Sequence, residues 1–496
     1  MTKSINIPNI DIRQDTRLTE KLENTKLILK QYYLNDIRPL CIAYSGGKDS
    51  TALVFIMLNV LKELKKELQL NKKTYIINSN TRAELPPLLE HLEMSLGSIQ
   101  TYSDTHELLV EVHEVVPFDK HTLNVQLLGV GMPPPSRNFR WCTSKLKIQP
   151  IERKLKELFP DGKFISVVGS RRDESSDRKA RIEKQSKVNS HLKINDRFPN
   201  ADNLYPIEYW NTKDIWEYIF TQNEKIIDID FLWNLYSDAS SKEAAECSFA
   251  GAGGKNITEG NLGCGQSRFG CWQCYVVRDN DKSLDGLLKS GYDNIELYKE
   301  YREKYWNFTQ KGWENTRDVY SHRTQQREFF DEKYNRTGMT KPKGILLQAR
   351  KIFFLETLKL NNKLSYDIID LNEIHLIQKR WLQEGDLELN AYKIAKEFAF
   401  NIPIELRREV YADRKTAKSF YKQYLNNKNL KQHFCILTLK RFAYQYTKNM
   451  NSVNKKFFPT KQEERVIRKE WKKGHTLFKT SINYPNIIDL IEEDLS

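Results

Sequence analysis

The chain has 496 residues, enough for about two to four domains, since a single core stops growing at roughly 250 to 300 residues. With 39% hydrophobic and 29% charged residues and a mean hydropathy of -0.65 it has the balance of a folded, water-exposed protein, and no run approaches the roughly 18 to 20 apolar residues of a membrane span. A formal net charge of +14 exceeds what solubility needs and points to a polyanionic partner, or else to a lysine-rich genome.

The opening segment, MTKSINIPNIDIRQD, is polar and lacks the apolar stretch of a secretory signal. A cytoplasmic location is therefore expected, without membrane attachment, and there clustered cysteines suggest metal binding or catalysis before disulfides. Residues 1–35 read as an N-terminal helical segment. From about 36 to 220, short β-branched runs alternate with amphipathic stretches, the pattern of an α/β fold with a doubly wound parallel sheet. The expected strands are Leu40 to Tyr44, Thr74 to Asn78, Leu109 to Val116 and Phe164 to Gly169. Residues 221–282 form a Trp-, Gly- and Ser-rich stretch that reads largely as loops and bears cysteines. Beyond 283 the periodicity is helical, as in Ile345 to Leu360, Asp367 to Leu382 and Leu430 to Tyr446, which predicts a basic C-terminal helical domain over 283–496.

The first strand runs directly into Ser45-Gly46-Gly47-Lys48-Asp49-Ser50 and then into a helical run from Ser50 to Lys66. Two glycines allow a tight turn that brings backbone N–H groups against phosphate oxygens, and the start of the helix favours an anion. Ser45, Lys48 and Ser50 add side-chain donors. Asp49 is costly beside a phosphate unless it caps the helix or holds Mg²⁺, so it argues for a metal–nucleotide complex. The turn is shorter than a Walker A loop. Ligands of open α/β sheets gather at the carboxyl ends of strands. That rule adds Asn80 and Thr81 after the second strand, and Gly169-Ser170-Arg171-Arg172-Asp173-Glu174-Ser175 after the fourth. The paired arginines there can neutralise phosphate charge or simply face water.

Of seven cysteines, Cys264, Cys271 and Cys274 fall in one glycine-rich stretch, with a C-x2-C pair and a third thiol upstream. Cys142, in Phe139-Arg140-Trp141-Cys142-Thr143, is the candidate fourth ligand. Spacing leaves an iron–sulfur cluster, a four-cysteine zinc site, a redox pair and plain buried thiols open. Cys41 and Cys435 sit in apolar runs and read as core residues.

The loop at Ser45 resembles that of the ATP pyrophosphatase superfamily, whose members cleave ATP between the α and β phosphates, and of the related phosphoadenylylsulfate reductases, which carry a similar Gly-x-Arg-Arg-x-Glu-Ser. Together with Leu127-Leu128-Gly129-Val130-Gly131-Met132-Pro133-Pro134-Pro135, the Cys142 segment, Leu146-Lys147-Ile148 and Ser267-Arg268-Phe269-Gly270-Cys271-Trp272-Gln273-Cys274, the chain resembles the DndC family. These are the sulfurtransferases of bacterial DNA phosphorothioation. The resemblance implies an adenine-nucleotide alpha-hydrolase-like sheet over 36–220 and a [4Fe–4S] cluster on Cys142, Cys264, Cys271 and Cys274. It implies ATP cleaved to AMP and pyrophosphate over Ser45 to Ser50, with Asn80, Thr81 and Gly169 beside it, and Lys48, Asp49, Arg171 and Arg172 in catalysis. DNA would be the substrate, a cysteine desulfurase the sulfur donor, and other proteins of the phosphorothioation complex the partners. Two departures stand out. Family members usually carry Asp-Thr where this chain has Asn80-Thr81, and an amide cannot ligate Mg²⁺ as a carboxylate does. The helical C-terminal third matches no motif. The rival readings are a tRNA thiolase, which shares loop and cluster, a phosphoadenylylsulfate reductase, which presents a catalytic cysteine near its C-terminus where this chain has none after Cys435, and a scaffold that keeps nucleotide and cluster for structure only.

Overall fold

The computed structural model describes residues 17–136, 139–174, 176–185, 191–224, 226–238, 271–275, 282–289, 291–311, 316–317, 344–384, 386, 388–411 and 414. They fall into two compact units, one within Met1–Pro117 and Arg140–Glu296, the other within Phe118–Phe139 and Leu297–Ser496.

The first unit is a six-stranded α/β sheet. Helix α1 (Leu18–Asn35) leads to β1 (Leu40–Tyr44), α2 (Lys48–Glu67), β2 (Thr74–Ser79), α3 (Pro86–Thr105) and β3 (Val110–Val115). Then come α4 (Gln149–Leu158), β4 (Ile165–Val167), α5 (Ser176–Lys184), β5 (Leu192–Ile194), β6 (Asp202–Leu204), α6 (Thr212–Phe220) and α7 (Ile229–Asp238). The strand order is β3-β2-β1-β4-β6-β5, parallel throughout except for β5, which pairs antiparallel with β6. Strand β1 is central and packed on both faces. Leu40, Ile42 and Tyr44 join one core with α1, α2, α3 and α6, while Cys41 joins Leu155, Phe159 and Phe164 on the other, as its apolar setting predicts. Helices thus cover both faces, and the fold is the doubly wound type. Helix α2 is buried without interruption from Ser50 to Leu58 because it lies inside the larger core, which is why its sequence is apolar on nearly every side. At the sheet edge the Gln100 amide covers β3, accepting from Val112 N at 2.9 Å and donating to Val110 O at 3.3 Å.

Two helices arise in sequence that is too rich in Trp, Asn and Thr to read clearly. Helix α6 starts at an Asn211–Asp214 capping box, and Asp214 also takes Lys21 Nζ of α1 at 2.7 Å in a buried ion pair. Helix α7 lies within the stretch expected to be mostly loop; it is helical because Trp233 and Tyr236, three residues apart, pack edge-on against Trp216 of α6 at 4.9 and 5.4 Å. A further helix covers Lys282–Lys289. Strands β5 and β6 were not expected: with three residues each, Leu-Lys-Ile and Asp-Asn-Leu, they are too short to show alternation.

The second unit is helical among its described residues, with helices Leu347–Asn361, Leu371–Gln383 and Asn390–Glu397, the first two close to their expected bounds. Residues 118–139 belong here. Their π-helical turn Val125–Gly129 is held by Trp381 Nε1 donating to Leu128 O at 2.8 Å and by the buried Arg350 guanidinium, which donates to Gly129 O and to Glu384. Gly131, at φ +75°, receives Ile345 N on its carbonyl at 2.7 Å. No helix among the described residues is long and apolar enough to cross a membrane. The expected helix Leu430 to Tyr446 lies outside the described residues.

Candidate nucleotide and cysteine site

The strand order reverses between β1 and β4, and this switch point is where an open α/β sheet leaves a crevice at its carboxyl edge. The loop Ser45 to Ser50 fills the β1 side. Gly46 adopts φ +71°, a left-handed turn that a side chain resists, and Gly47 is the N-cap of α2 with no side-chain cap. Ser50 Oγ donates to Gly47 O at 2.9 Å, accepts from Ser45 N at 3.2 Å and lies 3.1 Å from Ser45 Oγ, so the loop is folded on itself into a fixed turn. Gly169, at the end of β4, packs so closely that a Cβ there would lie 3.1 Å from Asp49 O and 3.3 Å from Ser50 N. Glycine is needed at that position for close approach of strand end to loop.

Charge at the loop is organised around Asp49. Its carboxylate takes Lys48 Nζ at 3.0 Å and Arg171 Nε at 2.5 Å. Burial alone would push this carboxyl up, but Lys48 and then Arg171 outweigh it and hold the group below the usual carboxylate range. Arg171 is buried and also donates to Trp210 O and Thr212 Oγ1, each at 3.3 Å. Arg172 pairs with Glu208 at 3.0 Å and Glu183 at 3.1 Å, over the ring of Tyr209. The two arginines expected at phosphate are therefore placed on acidic partners of the protein itself, Arg171 acting on the loop through Asp49. Ser175 lies outside the described residues.

The adjacent strand end carries the cysteines. Asn80 Oδ1 accepts from Arg82 N at 2.8 Å, which supports Arg82 at φ +58°. Thr81, also buried, donates its N–H to Glu84 Oε2 at 3.0 Å and its hydroxyl to Glu84 Oε1 at 2.6 Å, and that hydroxyl lies 3.3 Å from Cys271 Sγ. Glu84 and Cys271 form an isolated antiparallel bridge, Trp272 N donates to Ala83 O at 2.9 Å, and Cys274 N closes the C-x2-C turn onto Cys271 O at 3.0 Å. The cysteine turn thus hangs from the loop that ends β2. Cys142 stands just before a π-helical stretch, Thr143–Ile148, that continues into α4, and such stretches are frequent at functional sites.

Of the three described thiols of the expected set, Cys274 acts on the other two. Burial pushes Cys271 up to about 12, with Glu84 adding to it and Lys147 opposing. Cys142 is raised by burial and then by Cys274, again opposed by Lys147. All three are free thiols, and Cys264 lies outside the described residues. Among the described residues no three His, Cys, Asp or Glu side chains are grouped as a metal site. The donor chemistry nonetheless fits a thiolate-ligated centre, since Cys142 and Cys271, each within electrostatic reach of Cys274 and Lys147, are thiols that a metal would deprotonate. Glu84, Lys147, Thr212 and Tyr236 were missed in the sequence. Glu84 carried a signal, three residues after Thr81, the spacing at which a hydroxyl residue and a glutamate satisfy each other, and Lys147 stood in the matched stretch Leu146-Lys147-Ile148.

The chain is 25% identical over 308 residues to the uncharacterized protein MJ0973 of Methanocaldococcus jannaschii, covering 58% of each, and 25% identical over 199 residues to the uncharacterized protein MJ0066 of the same organism, covering 39% of this chain and 34% of that one. It thus spans less than two thirds of the length of these curated relatives. Similar solved structures include an FMN adenylyltransferase of Candida glabrata with FMN and an ATP analogue (18% identity, 47% of this chain, 66% of that one, TM-score 0.28). Others are a phosphoadenylyl-sulfate reductase of Candida auris (12%, 43% and 88%, TM-score 0.27) and the U34-tRNA thiolase NcsA of Methanococcus maripaludis with its [4Fe-4S] cluster (14%, 42% and 67%, TM-score 0.28). Residues 39–275, which span the loop at Ser45, both arginines and the C-x2-C turn, match the family model of the phosphoadenosine phosphosulfate reductase domain.

Proposed function

We propose that the protein is an ATP-dependent sulfurtransferase that activates a backbone phosphate of DNA by adenylation and replaces one of its non-bridging oxygens by sulfur. The observation that supports this reading is that the phosphate loop after β1 and the cysteine turn hung from the loop after β2 project from neighbouring parallel strands of one sheet, within the stretch that matches a sulfur-metabolising family model. The Gly46–Gly47 turn and the start of α2 receive the nucleotide phosphates, Lys48 adds the nearby cation, and Arg171 keeps Asp49 ionised and in place. Mg²⁺ travels with the nucleotide, and Asp49 is the loop carboxylate to hold it. The acceptor oxygen attacks the α-phosphorus, the bond to the β-phosphate breaks and pyrophosphate leaves. Sulfur at the sulfide level then attacks the activated DNA phosphorus and AMP departs with the displaced oxygen. A cysteine desulfurase, with a thiol reductant to bring persulfide sulfur to that level, is the proposed source, and the basic balance of the chain suits DNA. Bound to Cys142, Cys264, Cys271 and Cys274, a [4Fe–4S] cluster would supply a place to carry or position sulfur.

The test is anaerobic purification with iron, zinc and sulfide analysis, followed by incubation with MgATP, a desulfurase, labelled cysteine and either DNA or tRNA. Pyrophosphate release together with label in DNA is expected. Label in tRNA alone makes the protein a thiolase of RNA; zinc without iron or sulfide removes the cluster; no pyrophosphate with either acceptor refutes the reading.

A further inference from the structure

One side chain at the nucleotide loop belongs to no motif and comes from a helix that the sequence hides. Tyr236, on α7, reaches back over the turn that joins β1 to α2. Its hydroxyl lies 3.2 Å from where a Cβ on Gly47 would stand, so it occupies the face of the loop that glycine leaves open. The Lys48 ammonium sits over its ring, 4.9 Å from the centroid. Burial raises the Tyr236 phenol, Asp49 adds to that and the Lys48 backbone opposes it, so both lie within reach of its oxygen. A glycine face, the first N–H of a helix and a lysine ammonium are the groups with which such a loop receives a phosphate oxygen. Here the Tyr236 phenol stands among them, its oxygen at the Gly47 face and its ring under the Lys48 ammonium. A phenol held in this way is a weak, neutral acceptor, and a phosphate oxygen is a charged one, so the same donors favour the anion by roughly twofold in hydrogen-bond strength.

The placement is built rather than incidental. Tyr236 is held edge-on against Trp216 at 5.4 Å, and Trp216 also meets Trp233 at 4.9 Å, with Phe220 completing the packing against Trp233 at 5.2 Å. This aromatic clamp fixes α7 to α6 with the hydroxyl facing the loop.

We infer that Tyr236 is part of the nucleotide site and that its hydroxyl holds the phosphate seat at Gly47 and Lys48, so that ATP must displace it in order to bind. The inference rests on the reading of Ser45 to Ser50 as a nucleotide loop. Tyr236 then sets the affinity for the nucleotide by competition: the apparent dissociation constant is the intrinsic one divided by the fraction of molecules in which the seat is free. Because Trp216 touches the Tyr236 ring, displacement also changes the surroundings of that indole.

Isothermal titration of wild type, Y236F and Y236L with magnesium α,β-methylene-ATP tests this. Y236F keeps the ring over Lys48 and the clamp on Trp216 and loses only the hydroxyl, so it should bind about two- to tenfold more tightly, the span of one net hydrogen bond. Y236L should bind at least as tightly as wild type, and its melting temperature reports whether the clamp survives. Tryptophan emission should change on titrating wild type, and this change should be lost in W216F. If wild type binds and Y236F binds equally or more weakly, the competition is refuted while the nucleotide loop stands. If wild type does not bind the analogue at all, the nucleotide reading falls and takes the inference with it.

Discussion

Replacing Arg171 by Met separates two roles for this arginine, one at the substrate and one in holding Asp49. Methionine keeps an unbranched apolar stem and removes the guanidinium, which is 1% exposed and donates to Asp49, Trp210 O and Thr212 Oγ1. Breaking a buried ion pair by removing one partner costs about 3–5 kcal/mol. Asp49 keeps Lys48 at 3.0 Å and its side chain is 17% exposed, so the loss falls at or below the bottom of that range, about 2–3 kcal/mol. For a unit of this size that is a fall in melting temperature of about 4–12 °C, read by circular dichroism or calorimetry. The acid limb should change as well. Asp49 titrates below its ordinary range in the fold, so it contributes stability that is complete above that ordinary range and is lost as pH falls through the folded value. With Arg171 gone the contribution shrinks, and acid unfolding of R171M should begin at higher pH but with a shallower dependence from this group. A melting temperature within about 1 °C of wild type, combined with lost nucleotide binding, would show that the guanidinium acts on the nucleotide and would refute the positioning role.

Other perturbations probe different layers of the molecule. G131A places a Cβ 2.6 Å from Ile345 O and 2.9 Å from Arg350 Nε at φ +75°, so the second unit should lose about 2–5 kcal/mol, seen as faster hydrogen exchange in helices Leu347–Asn361 and Leu371–Gln383 while α2 is unchanged. T81V removes the hydroxyl between Glu84 and Cys271; metal affinity should fall about 10- to 100-fold and the absorption of the loaded protein should shift, T81S should restore both, and titration with the ATP analogue should be unaffected. Lys72, whose ammonium donates to Tyr32 O and Asp36 O, is pulled down to about 8 by burial. The unfolded chain therefore binds more protons between about pH 8 and the ordinary lysine value near 10.5, and stability rises with pH across that window. In K72M, denaturant unfolding at pH 8 and pH 10 should lose that component of the slope.

The structure of the loop from Ser45 to Ser50 was legible because it is local. An apolar strand, two glycines and an apolar helix follow one another from Leu40 to Leu64, and each element takes the conformation its own residues favour. The cysteine half was legible in residue type but not in support. Nothing in the order of residues tells that Thr81 lies at Cys271 or that Lys147 acts on two thiols, since these contacts are made by strand and helix packing far along the chain. The arginines show the opposite limit. A basic pair after a strand reads as phosphate-binding or water-facing, and the partners that place both guanidinium groups, Asp49, Glu183 and Glu208, come from other elements. Helix α7 was hidden because Trp and Tyr lower helix propensity only slightly while making the stretch look irregular, and its stability comes from α6, not from its own periodicity.

Residues 118–139 have a consequence for the order in which the protein can be made. Leu123, Val125, Leu127 and Leu128 are buried, yet the hydrogen bond that closes over Leu128 comes from Trp381, 253 residues further along. At about 5–20 residues per second, a ribosome delivers that tryptophan roughly 10 to 50 seconds after the segment it covers. During that interval the flanking sheet can fold around β1 while this apolar excursion waits for its partner. The segment is where a chaperone would be needed during synthesis, and where a chain stopped before residue 344 would aggregate.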